Sequence, residues 1–257
     1  MRPRRLHWGQ EIGEKAPKIG STIEGGRAPE SGKQRSRMYI GLWLWQRLER
    51  AVAPWGELGS DILLELPLLD EPPAAEPGIP VVLRQAREAD IDTILPFYSS
   101  DPWLYLGVVT PTSDGHEQAR ELYLDRMRRG ELCFLAMCGD AIAHVNWTCF
   151  DWGEVLPDYP LRLRQGEVFT TDAVTPVPFR GRNLHAFVLR EMLLHARARG
   201  CRHAYTLSRI DRADSMKGLF RLGWKECGRM FYFLPKGGSR TWFFWRQGNL
   251  DPLFRRA

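Results

Sequence analysis

Pro178-Phe179-Arg180-Gly181-Arg182-Asn183 places two arginines and a glycine directly ahead of a run whose apolar residues Leu184, Val188, Leu189, Met192, Leu193 and Ala196 form one helical stripe. A helix starting there turns its unpaired N–H groups and the positive end of its dipole toward the loop, and the glycine lets backbone approach a bound group closely. A pyrophosphate suits that chemistry; so does a plain basic turn capped by Asn183. Two carboxylates, Glu167 and Asp172, stand on the apolar run just upstream. Their odd separation sends them to opposite faces of a regular strand. His144 and Asn146 share a face of another apolar run, either lining a pocket or forming a satisfied buried pair. The five cysteines, Cys133, Cys138, Cys149, Cys201 and Cys227, have neither C-x-x-C nor metal-finger spacing, so no metal site is expected.

The elements that must position these residues follow from periodicity. Val81–Arg84, Leu132–Met137, Ala141–Phe150, Glu167–Val174 and His203–Leu207 read as strands. So do Met230–Leu234 and Thr241–Trp245, which flank the turn Pro235-Lys236-Gly237-Gly238-Ser239. Helices are predicted from Glu88 to Leu95, ending near Pro96, and over about 114–128 with Ala119, Leu122, Tyr123 and Met127 inward. Two more are predicted from Leu184 to about Arg199, capped by Gly200, and from Asp214 to Leu222, ending at Gly223. Residues 1–37 read as a basic disordered tail, or as sequence ahead of a true start at Met38. Residues 38–78 read as a separate extension: an apolar helix, a short strand Ile62–Leu66, and the linker Asp70–Gly78 with three prolines. The helix over 38–50 carries Tyr39, Trp43 and Trp45; it would lie at a membrane interface, pack on the domain or line a homodimer contact. The main domain is then 79–257.

Composition narrows the function classes. The net charge of +5 comes from the tail, where nine Lys/Arg face four Glu; of the 36 basic and 31 acidic residues, 27 of each sign remain beyond it. That balance leaves no phosphate-backbone footprint on the folded part, so nucleic acid is not an expected partner. Unpaired cysteine spacing and the lack of an apolar leader point to a reducing, cytoplasmic setting.

Taken in order, the strand–loop–helix at 167–198, the strand some 20 residues on, and Ser215 ahead of Leu219-Phe220-Arg221-Leu222-Gly223-Trp224 resemble the GNAT acetyltransferase superfamily. That family carries V-x-P-x-x-R-G-x-G-x-G/A after its fourth strand and N-x-x-A/S-x-x-x-Y-x-x-x-G-F before its sixth. Val82-Leu83-Arg84-Gln85-Ala86-Arg87-Glu88-Ala89-Asp90-Ile91 looks like its opening strand and helix. The resemblance covers about residues 80–245. It implies an α/β fold of the α+β kind: a mixed, mostly antiparallel sheet of about seven strands with helices on both faces, plus the N-terminal extension.

The resemblance further implies transfer of an acetyl or longer acyl group from CoA, or from an acyl carrier protein, to an amine of a small molecule or peptide. Ala173, Val174 and Thr175 would pair with the donor's pantetheine arm where the fourth and fifth strands splay beside a bulge. Arg180, Gly181, Arg182, Asn183, Leu184 and His185 would face its pyrophosphate, with Ser215 on the donor's other side. Glu167 or Asp172 would be the base, Tyr205 or Tyr232 an acid unless both only pack the core, and His144 and Asn146 would line an acceptor pocket. The chain departs from the family at Asn183 and His185, where glycine or alanine is usual, at Arg212 in place of Asn, and at Leu219 in place of the acidic Tyr. Acceptor choice would rest with about 97–115 and 235–240.

Overall fold

The apolar runs become strands, and the computed structural model numbers them β1 (Gly56–Pro67), β2 (Val82–Gln85), β3 (Leu132–Cys138), β4 (Ala141–Cys149), β5 (Trp152–Leu156), β6 (Tyr159–Arg162), β7 (Glu167–Val174), β8 (His203–Arg209), β9 (Lys225–Pro235) and β10 (Trp242–Gly248). The helices are α1 (residues 47–52), α2 (Ile91–Ser99), α3 (Ser113–Arg128), α4 (Leu184–Ala198) and α5 (Ala213–Arg221). The structure describes residues 45, 47–99, 113–150, 152–156, 159–210, 212–237 and 240–250. The tail 1–37, the start of the apolar helix, most of the 97–115 loop and Gly238-Ser239 of the 235–240 loop lie outside the described residues. Among the described residues no helix is long and apolar enough to cross a membrane.

Eight strands form one sheet in the order β10-β9-β1-β8-β7-β4-β3-β2, and β5 and β6 form a separate hairpin. Every neighbouring pair in the large sheet is antiparallel except β7 and β8. Parallel pairing there needs a crossover, and α4 supplies it. One face is covered by α2 and α3, whose Ile91, Ile94, Leu95, Tyr98, Ala119, Tyr123 and Leu124 pack on Val145, Trp147 and Val174. The other is covered by α4 and α5, through Leu189, Leu193, Met216, Leu219 and Leu222 on Val168 and Ala204. The mixed sheet with helices on both faces is as expected; the strand count is eight rather than seven.

The extra strand corrects the domain boundary drawn at residue 79. The run read as a short strand Ile62–Leu66 is twelve residues long and lies inside the sheet. On one side it pairs with β8, from Asp61↔Arg209 to Pro67↔His203. On the other it pairs with β9, from Gly56↔Pro235 to Glu65↔Lys225. Leu63 and Leu64 are fully buried, one on each face. Gly59 is required by its neighbour, because a Cβ there would sit 2.0 Å from the Tyr232 ring lying across the strand. The proline-rich stretch after β1 is also fixed to the domain: Glu71 pairs with Arg190 of α4 at 2.5 Å, and Gly78 N–H donates to the Arg182 carbonyl at 2.7 Å.

A second difference concerns Pro96, which the sequence places at a helix end. A 3-10 turn at Glu88–Asp90 leads into α2, and α2 runs through Pro96 to Ser99. The lost N–H bond is outweighed by burial of Ile91, Ile94, Leu95 and Tyr98, all at 1% exposure or less. If β1 is integral, Leu64→Ala should lower the urea unfolding free energy by about 2–5 kcal/mol, as a fully buried core leucine does; a loss below about 1 kcal/mol would contradict an interior strand.

Candidate functional site: the parting of two parallel strands

β7 and β8 pair from Glu167↔His203 only as far as Thr170↔Thr206. The Thr206 hydroxyl donates to the Thr170 carbonyl at 2.8 Å and marks the last tie. Beyond it β7 continues along β4 to Val174, and β8 continues along β1 to Arg209. Thr171–Val174 and Leu207–Arg209 therefore lie beyond the end of the shared ladder and face one another across an opening. Backbone N–H and C=O groups at a strand edge demand partners, and an extended chain carrying amides supplies them.

The opening is set by a bulge. Val145 pairs with Val174 and Trp147 with Thr171, so β7 carries one residue more than β4 across this stretch. Asp172 takes up the excess in left-handed backbone, φ 50°. Its carboxylate receives Arg126 of α3 at 2.5 Å, and Arg126 also bonds Glu131 at 2.8 Å. The guanidinium lies over the rings of Trp147, at 4.4 Å, and Tyr123, at 5.2 Å. Burial alone would disfavour its charge, but Asp172 and Glu131 more than offset this and hold its pKa above the usual arginine value. Burial pushes the Glu131 carboxyl up, against the opposing pull of Arg126. The Tyr98 hydroxyl donates to the Asp172 carbonyl at 3.0 Å. Because the peptide is planar and trans, the Ala173 N–H points the opposite way, away from α2.

This geometry corrects the expectation for both carboxylates. Strict alternation puts Glu167 and Asp172 on opposite faces, but the bulge breaks the alternation and both lie on the α3 side. Asp172 is committed to Arg126. Glu167 sits at the far end of β7, seven residues or about 23 Å from Val174, and accepts the Arg164 N–H at 2.8 Å. Tyr205 lies in the paired part of the strands, packed with Leu63, Phe169 and Met230. Leu219 is core. Arg126, Glu131 and Tyr98 escaped the sequence reading; Arg126 repeats Tyr123 at helical spacing, but a lone arginine on an apolar stripe does not announce its partner.

After Val174 the chain makes a 3-10 turn at Val177–Phe179. Gly181 at φ 74° and Asn183 at φ 56° then reverse it into α4. Asn183 does not cap the helix: its amide donates instead to the Glu76 carbonyl at 2.8 Å, so the proline-rich stretch braces the loop. The first turn of α4 holds no acidic residue. Its N–H groups therefore meet neither a side-chain cap from Asn183 nor a carboxylate of their own turn. Arg180 and Arg182 are exposed beside it, and Arg180 Nε donates to the Thr175 carbonyl at 3.0 Å. The open strand edge and this helix end adjoin, since only the short loop separates them.

His144 and Asn146 lie on the α4 side of β4, each 1% exposed. His144 Nδ1 is 2.7 Å from the Thr175 hydroxyl, and its ring centroid is 5.5 Å from that of His185 in the first turn of α4. The Asn146 amide atoms and His144 Nε2 are buried without a hydrogen-bond partner among the described residues. Leu184 is buried. A Cβ at Gly218 of α5 would lie 4.0 Å from His185 Nδ1, and Ser215 stands one turn earlier on the same face. Burial pulls the His185 pKa down to about 4, and burial followed by the neighbouring His185 charge pulls His144 well below its usual value. Unfolded imidazoles take a proton near 6.5, so stability is full above that pH and falls as pH drops toward about 4. The fall should be about 1.4 kcal/mol per pH unit for each histidine. His185→Gln should reduce the slope by about one proton in urea titrations across this window; an unchanged slope would contradict the burial of a neutral imidazole.

No family profile matches the chain, and comparison with curated proteins finds no match. Solved structures do match. The chain is similar to a GCN5-related N-acetyltransferase from Sphaerobacter thermophilus, with 16% identity over 71% of this chain and a TM-score of 0.50. The match spans 53% of that protein, so this chain accounts for about half its length. An N-acetyltransferase from Staphylococcus aureus Mu50 matches with 16% identity over 56% of this chain and 83% of its own, at a TM-score of 0.45. A GNAT-family acetyltransferase from Colwellia psychrerythraea matches with 10% identity over 70% and 57%, at 0.46. The fold likeness rests on the first of these together with the splayed strands, the loop and α4: the chain has the fold of the GCN5-related N-acetyltransferases, the GNAT superfamily that its motifs resemble.

Proposed function

We propose that this chain is an N-acyltransferase that takes an acetyl or longer acyl group from a CoA thioester and passes it to an amine of a small molecule or peptide. The observation that carries the reading is the opening between Thr171–Val174 and Leu207–Arg209, ending beside a helix start with no side-chain cap and no acidic residue in its first turn. A CoA thioester has the matching sequence of groups. Its pantetheine amides suit the edge at Ala173 and Val174, which ends at Thr175, whose carbonyl Arg180 holds. Its pyrophosphate suits the N–H groups of Gly181 through His185 with Arg180 and Arg182 beside them. Ser215 borders the same cleft from α5. An acyl carrier protein presents the same arm and is the alternative donor.

The thioester supplies an activated acyl carbon. The acceptor nitrogen forms the new C–N bond, the C–S bond breaks, and the amine's proton leaves as the thiolate gains one. An N–H group at the strand edge would stabilise the carbonyl oxygen as charge develops. The engagement of Asp172 and the distance of Glu167 leave water at the opening as the first acceptor of the amine proton. That same engagement favours a second reading, a GNAT-fold module that binds a donor without transferring its acyl group.

Calorimetry with CoA and acetyl-CoA tests the donor site. Binding is expected, and Arg182→Glu should weaken it about tenfold by setting a carboxylate against the pyrophosphate. Thermal stability should be maintained, because the Arg182 side chain is exposed and only its backbone carbonyl holds Gly78. No binding of either ligand by the native chain would overturn the proposal. Binding without acylation of any amine in a broad panel would decide for the second reading.

A further inference from the structure

The bulge in β7 is not held by the sheet alone. Left-handed backbone at Asp172 is unfavourable for a residue with a Cβ, and the structure balances it with two ties from the α2–α3 layer, one to its carboxylate and one to its carbonyl. Arg126 grips the carboxylate, Glu131 and the Trp147 and Tyr123 rings grip Arg126, and Tyr98 holds the carbonyl. Arg126 is only 11% exposed and Glu131 only 4%, so the pair is screened from water and keeps a fixed geometry. The parting of β7 from β8 begins at Thr171, immediately before the residue so held.

We infer that Arg126 is a positioning residue: acting through Asp172, it holds the bulge that keeps the Thr171–Val174 edge open to the pantetheine arm of the donor. The inference rests on the donor site proposed above and adds to it the device that shapes one half of that site. The nucleotide half, at Gly181–His185, is anchored separately through Asn183 to Glu76 and through Arg182 to Gly78. The two halves should therefore respond differently to loss of the latch.

Asp172→Gly is the informative variant. Glycine adopts φ 50° without strain, and Arg126 keeps Glu131, so no buried charge is stranded. Arg126→Met strips Asp172 of its cation and leaves Glu131 only Arg129 at 3.6 Å; it is the harsher companion, to be scored only where its unfolding transition stays cooperative. The probes are CoA and 3′-phospho-ADP, which is CoA without its pantetheine arm. Asp172→Gly should bind CoA at least tenfold more weakly while 3′-phospho-ADP binds as it does to the native chain. Hydrogen exchange at the Ala173 and Val174 amides should quicken. Asp172→Asn, which still accepts from Arg126 and tolerates left-handed backbone, should recover part of the CoA affinity. Unchanged CoA affinity in Asp172→Gly, or a parallel loss of both ligands, would overturn the latch while leaving the donor site standing. A native chain that binds neither probe would remove the donor site and the latch with it.

Discussion

A guanidinium buried against two carboxylates and two aromatic rings is costly to assemble unless its geometry is complete. At Arg126 it is complete. The elements on one side of the opening meet at it: α3 presents the cation, α2 presents Tyr98, β4 presents Trp147, and β7 yields an extra residue at Asp172. With that residue displaced, β7 stays on β4 while the β8 ladder ends at Thr170. The chemistry of the opening is thus backbone chemistry, a strip of amide edge, and the side chains around it act mainly by fixing where the strip lies.

The second wall of the opening depends on β1. Its pairing with β8 up to Asp61↔Arg209 holds the free end of that strand away from β7. The position is reinforced by a polar cluster: Tyr232 donates to Asp61 at 2.9 Å, and Arg209 pairs with Glu49 of α1 at 2.8 Å and lies 3.6 Å from Glu57. A segment read as a preface to the domain therefore shapes half of its site. The adjoining proline-rich stretch braces the loop before α4 as well, through Asn183 to Glu76 and Gly78 to Arg182.

The loop and its helix were legible from local rules: a stripe of apolar residues after Asn183, a glycine and an asparagine able to take positive φ, and Gly200 ending α4 at φ 87°. Strand β7 was legible residue for residue. The interior place of β1 was not, because an apolar run shows that a strand is buried but not which distant strands pair with it. The assignment of Glu167 and Asp172 to opposite faces failed for a definite reason: alternation holds only while the ladder is regular, and one added residue reverses it. Asn183 had two local options, capping α4 or bonding elsewhere, and the distant Glu76 carbonyl decided between them. His144 and Asn146 were read correctly as sharing a face, but the face is sealed under α4, and burial cannot be read from alternation alone.

The central claim is that the parted strands and the helix start form one continuous site for a CoA donor. A crystal structure of the chain with CoA tests it directly. The pantetheine arm should lie along Thr171–Val174 with its amides bonded to that edge, and the pyrophosphate on the N–H groups of Gly181–His185. CoA bound elsewhere, or a pyrophosphate at α4 with the arm outside the opening, would contradict it.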